Sequence, residues 1–219
     1  MPLAGHGPAR TEPEPIATGL SQPCPTAGAA HPVPIDPSPG PDQNGRVTNL
    51  LAINSSPSHP SRTRAIAELA IELEGGRLLD VRSIDAEALL LRRDHPSLDE
   101  ARAAAAAAGI VLLATPVYRA TYSGLLKVLL DLLPQDGLAG KACILAATAR
   151  IPGHFLSLDT GLRAAVASVR GWSVPTVVYA VPEDFDERGR PLAGVRAALE
   201  SALAEARVVA SALSRQPSG

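Results

Sequence analysis

Aromatic side chains are scarce in this chain: one Trp, three Tyr and two Phe, 3% of 219 residues. Two tyrosines four residues apart, Tyr118 and Tyr122, therefore stand out. Cysteine is nearly missing too. Cys24 lies in a proline-rich region and Cys143 in a predicted strand, which speaks against a disulfide and leaves no redox or zinc spacing. Charge of one sign is also lacking. A net charge of −2 and a pI near 6.2 give no basic face for a nucleic-acid partner. No apolar run approaches the roughly 20 residues that span a bilayer, so no membrane partner is expected.

Several catalytic signatures are absent as well. There is no G-x-x-x-x-G-K-[ST] phosphate loop, no G-x-G-x-x-G after a strand and no G-x-S-x-G nucleophile elbow. His6, His31, His59, His95 and His154 are scattered without metal spacing. With no acid/base constellation, a cofactor is expected to carry whatever chemistry occurs.

The first 45 residues hold eleven of the 21 prolines and show neither helical nor strand period. They read as a disordered Pro/Gly-rich arm, with no 7–15-residue apolar core of a secretion signal. Residues 46–215, roughly 170 in number, suffice for one domain. The chain reads as cytoplasmic.

Within that domain, apolar runs alternate with helical periodicity. Strands are predicted at Val47–Asn54, Leu78–Val81, Ile110–Ala114, Lys141–Ala147 and Val174–Val181. Helices follow at Ile66–Leu73, Leu98–Ala108 (with Ser97 as cap), Gly124–Leu133, Phe155–Val169 and Val195–Leu213. Unbroken Val/Ile/Leu runs without polar alternation suit strands covered on both faces. Five of them alternating with helices give an α/β doubly wound sheet, for which the flavodoxin-like order 2-1-3-4-5 is favoured.

Ligands of such sheets gather at the carboxyl ends of the strands. Behind the first strand lies Ser55-Ser56-Pro57-Ser58-His59-Pro60-Ser61-Arg62-Thr63. Hydroxyls, free amides and the positive end of a helix there suit a phosphate monoester, with Arg62 as a charge-assisted fork. A Ser-rich turn with an ordinary helix cap explains the composition equally well. Behind the third strand, Thr115-Pro116-Val117-Tyr118 offers a backbone of fixed φ and a ring. Partial burial of Tyr118 and Tyr122, or an interface, is the competing account. Lys127 and Asp131, four apart on the next helix, read as a surface ion pair. That helix is apolar on nearly every side, which points to oligomerisation through it.

The motifs S-P-S-x-P-S-R-T and A-T-P-V-Y-x-A-x-Y-S-G-x-L-K-x-x-L-D-L-L-P, with the stretch between Val47 and Leu213, resemble the NAD(P)H-dependent FMN reductase family. The nearest subgroup serves two-component sulfonate monooxygenases. The resemblance implies a three-layer flavodoxin-like sandwich and hydride transfer from NAD(P)H to FMN. It assigns the FMN phosphate to Ser56, Ser58, Ser61, Arg62 and Thr63, and the flavin ring to Thr115, Pro116, Val117 and Tyr118. It also implies a homodimer or homotetramer and a flavin-dependent monooxygenase that receives reduced flavin.

Three positions depart from the family pattern. After the fourth strand, Ala147-Thr148-Ala149-Arg150 stands where the family has a segment like A-T-G-G, so Ala149 and Arg150 replace its Gly-Gly pair; Arg150 could reach a flavin edge, reach a nicotinamide phosphate or close the pocket. Thr160 replaces an aromatic ring, and Ser55 a glycine. A quinone or nitro reductase and a non-catalytic flavodoxin-like binding subunit are the alternative readings.

Overall fold

The computed structural model describes residues 49–215. The predicted disordered arm lies outside the described residues.

Seven strands form one sheet: β1 (Leu50–Asn54), β2 (Arg77–Asp80), β3 (Ile110–Tyr118), β4 (Thr121–Tyr122), β5 (Ala142–Thr148), β6 (Trp172–Ser173) and β7 (Val178–Ala180). The helices are α1 (Arg62–Glu74), α2 (Ala86–Leu89), α3 (Pro96–Ala107), α4 (Gly124–Leu132), α5 (Arg163–Ser168) and α6 (Ala193–Leu213). The parallel order is β2-β1-β3-β5-β6, with β7 also on β5 and β4 antiparallel to β3. This is the expected flavodoxin-like order once β6 and β7 are taken as one edge.

The unbroken apolar runs are explained by burial on both faces. Along β1, Leu50 and Ala52 pack with α1 and α6, whereas Leu51 and Ile53 pack with α3, α4 and α5. β3 and β5 divide in the same way: Leu112 and Ile144 join the first layer, Leu113 and Leu145 the second. Removing one such leucine to alanine is expected to cost about 2–5 kcal/mol. At the β2 edge, Gly76 has φ +108, and a Cβ there would meet the Leu50 carbonyl at 2.2 Å. No other residue fits that turn.

Several expectations are corrected. β3 does not stop at Pro116. It runs to Tyr118 and turns back through Arg119 and Ala120 into β4, pairing Val117 with Tyr122 and Tyr118 with Thr121. Both turn residues are left-handed, with φ 53 and 63, as a two-residue hairpin demands. The expected strand Val174–Val181 is broken into β6 and β7. Pro175 lies in the gap and has no amide to donate, and Thr176 turns its amide to Glu205.

The cap of α3 is His95 rather than Ser97: its Nδ1 accepts from the Ser97 amide, while the Ser97 hydroxyl serves Asp85. The helix expected from Phe155 begins later. A π turn, Leu158–Leu162, leads into α5, and Phe155 stands outside it, 49% exposed. α4 is less apolar outward than its composition suggested. Leu126, Leu129, Leu130, Leu132 and Leu133 are absorbed by the chain's own core, and Lys127 and Asp131 pair on the outer side at 2.6 Å. Among the described residues, no helix is long and apolar enough to cross a membrane.

Candidate active site

The carboxyl ends of β1, β3, β5 and β7 open into one cleft. Its floor is formed by the path from β1 into α1. Asn54 Oδ1 accepts from the Ser56 amide at 3.2 Å, and Ser56 Oγ from the Ser58 amide at 3.2 Å, which turns the chain towards the helix. Ser61 then caps α1 by accepting from the Arg64 amide at 3.1 Å. The amides of Arg62 and Thr63 lie in the first turn, where no intrahelical carbonyl can reach them. Thr63 Oγ1 lies 2.6 Å from Thr148 Oγ1, which ties this helix end to the end of β5.

The wall is the end of β3. Pro116, Val117 and Tyr118 face the cleft, and Tyr118 is 46% exposed. Thr115 does not. It is fully buried: its Oγ1 accepts from the Ser123 amide at 2.9 Å and donates to the Pro116 carbonyl at 3.1 Å. The side chain predicted to touch a ring instead fixes the strand beneath it. Ser123 caps α4 and donates to Ser55, whose own hydroxyl donates to the Ala114 carbonyl at 3.0 Å. Ser55 thus joins a buried hydroxyl network linking β1, β3 and α4.

The third side is the turn after β5. The Ala149 amide donates to Ala180 O at 3.0 Å, and Tyr179 Oη to the Ile151 carbonyl at 2.7 Å. Burial pushes the Tyr179 hydroxyl pKa up, which keeps it a donor. Beyond β7, Pro182 and Phe185 close the cleft, and the Arg62 guanidinium carbon lies 5.7 Å from the Phe185 ring centre. Phe185 was missed in the sequence. A lone aromatic between Asp184 and Asp186 in a charged excursion was the available signal.

Of the twelve predicted site residues, eleven line this cleft and Thr115 supports it from below. Neither His59 nor His154 lines it. Among the described residues, the lining includes two arginines and no carboxylate. Free first-turn amides, hydroxyls and a guanidinium form a donor-rich set suited to a phosphate. The apolar Pro116 and Val117 beside it suit a flat ring. The residues present therefore fit FMN.

The comparisons agree. Residues 48–186 match the family model described as NADPH-dependent FMN reductase. The chain is 31% identical over 163 residues to an FMN reductase (NADPH) of Escherichia coli, covering 70% of this chain and 85% of that one. It is 34% identical to the NADH-dependent FMN reductase SfnF of Pseudomonas putida, covering 66% and 83%. Among solved structures, the apo form of the NADH:FMN oxidoreductase EMOB superposes with a TM-score of 0.65 at 34% identity, covering 78% and 92%. The chain belongs to the NADPH-dependent FMN reductase family, as a flavodoxin-like oxidoreductase whose cofactors are FMN and NAD(P)H.

Proposed function

We propose that the chain passes hydride from NAD(P)H to FMN held in this cleft and releases reduced flavin to a flavin-dependent monooxygenase. The observation that carries the reading is the donor-rich end of α1 beside the apolar end of β3. Ser56, Ser58, Ser61, Arg62 and Thr63 would take the phosphate, Pro116, Val117 and Tyr118 the ring, and Thr148 and Ala149 its other side, with Arg150 at the mouth. FMN supplies the hydride-accepting chemistry when bound.

The protein's part is placement. The buried Ser55–Ser123–Thr115 network braces the end of β3 at Pro116, against which the ring would lie. The bond from Tyr179 to Ile151 holds the turn on the third side. No side chain needs to take or give a proton in the hydride step.

Relatives named for NADPH and for NADH both support NAD(P)H as donor. The need for reduced nicotinamide nucleotide supports a cytoplasmic location. Exposed Tyr118 at the cleft, and exposed Ile151, Phe155 and Leu156 in the segment after β5, support association as a homodimer or homotetramer. Sedimentation as a monomer at micromolar concentration would remove that part.

The deciding experiment titrates the protein with FMN by flavin fluorescence, then follows NADH and NADPH oxidation with free FMN under air. Saturable binding and turnover above the flavin-only blank are expected. Their joint absence would refute the reading. Turnover with a quinone but not with FMN would move the acceptor.

A further inference from the structure

Two guanidiniums reach one cleft, and the surroundings account for only one of them. Arg62 sits at the first turn of α1, against Phe185 and among the serine hydroxyls. With the free amides beside it, that group is sufficient for the single phosphate of FMN. Arg150 belongs to a different element, the turn two residues past Thr148, and its side chain is exposed at the mouth. Among the described residues it has no carboxylate partner, and no acid lines the cleft to neutralise it.

The backbone carrying Arg150 is held on both sides. Its predecessor donates to Ala180 O, and its successor's carbonyl accepts from Tyr179. An exposed guanidinium on a held backbone at a pocket mouth, with no acid in the lining, is placed to meet an anion arriving from solvent. The second substrate brings such anions. Hydride transfer requires the nicotinamide to lie against the flavin inside the cleft, so the rest of the dinucleotide, with its phosphates, must pass over the rim.

We propose that Arg150 binds a phosphate of the incoming nicotinamide nucleotide: either the pyrophosphate common to NADH and NADPH or the 2′-phosphate of NADPH alone. Arg150 is then a specificity-determining residue for the nucleotide and not part of the FMN phosphate site. This rests on the function proposed above.

The test compares the FMN-loaded wild type with Arg150→Gln and Arg150→Lys. Affinity for ADP and for 2′,5′-ADP is measured by calorimetry, KM for NADH and NADPH by steady-state kinetics, and the FMN dissociation constant by fluorescence. In Arg150→Gln, roughly tenfold weaker nucleotide binding and a matching rise in KM are expected, as for one lost charge-assisted contact. The FMN constant should move by less than about twofold, and Arg150→Lys should restore part of the loss. An equal loss for ADP and 2′,5′-ADP supports the pyrophosphate. A loss confined to 2′,5′-ADP and NADPH supports the 2′-phosphate. Weakened FMN binding with unchanged nucleotide binding overturns the proposal, and so does no change in either. A wild type that turns over while the variants match it sinks this inference alone; a wild type that binds no nucleotide sinks the parent reading as well.

Discussion

The hydroxyls of Thr63 and Thr148 stand 2.6 Å apart, although 85 residues separate them in the chain. One belongs to the first turn of α1 and the other to the last residue of β5, so the pair fixes a helix end against a strand end at the cleft floor. Thr63 is 2% exposed and has little access to water as a substitute partner. Thr148→Val should therefore cost about 1–2 kcal/mol in urea unfolding, with Thr63→Val similar. The double variant should lose clearly less than the sum, because either single change already breaks the pair. Strict additivity would mean that the two hydroxyls do not interact.

Arg62→Ala should weaken FMN binding by roughly ten- to a hundredfold, the range for a hydrogen bond to a charged group. Phe185→Leu should cost less, since it removes only the ring under the guanidinium. Flavin fluorescence titration measures both. Unchanged affinity in Arg62→Ala would reassign that residue to the surface.

Ser123 serves three elements at once: it caps α4, donates to Ser55 and lends its amide to Thr115. Ser123→Ala should lower stability by about 1–2 kcal/mol, as for loss of a helix cap. Because the end of β3 rests on this network, FMN affinity should fall along with stability. A destabilised variant with unaltered flavin binding would separate the network from the site.

Ala120 occupies the left-handed region in the hairpin between β3 and β4. Its Cβ is strained there by roughly 1–2 kcal/mol, whereas glycine escapes the strain at some cost in unfolded-chain freedom. Ala120→Gly should raise the urea midpoint, corresponding to a gain of about 0.5–1 kcal/mol. Ala120→Val should lower it.

Burial pushes the Cys143 thiol up to about 12, from 9.0 when free. Native chain carrying Cys24→Ser should accordingly resist thiol reagents at pH 8 and react once unfolded. The sign for stability follows from proton binding. Below pH 9 both states hold the proton and the thiol has no pH effect. From there towards 12 only the unfolded chain releases it, so stability falls. Cys143→Ala should remove that part of the alkaline loss; identical alkaline curves would show that the thiol ionises freely in the native state.

Much of this was legible in the amino-acid order because it depends on local pattern. The apolar runs at Leu50, Ile110 and Ala142 have the length and lack of alternation that only a doubly covered strand requires, and the period of Ile66, Leu69 and Leu73 announces a helix. Thr115 and Phe185 mark the boundary of that legibility. A threonine before Pro116 reads as exposed or buried alike until Ser123 folds back to hydrogen-bond it, and Phe185 gains a role only when β7 brings it under Arg62.

The sequence by itself determined the alternation of strands and helices and the polar loops behind the first and third strands, since hydrophobic period and turn chemistry act over a few residues. Tertiary structure alone decided the rest. It broke the last strand at Pro175, drew the leucines of α4 into the core, joined Thr63 to Thr148 and set Arg150 at the cleft mouth with no carboxylate partner among the described residues. Each of these depends on contacts between segments far apart in the chain, which a local pattern cannot encode.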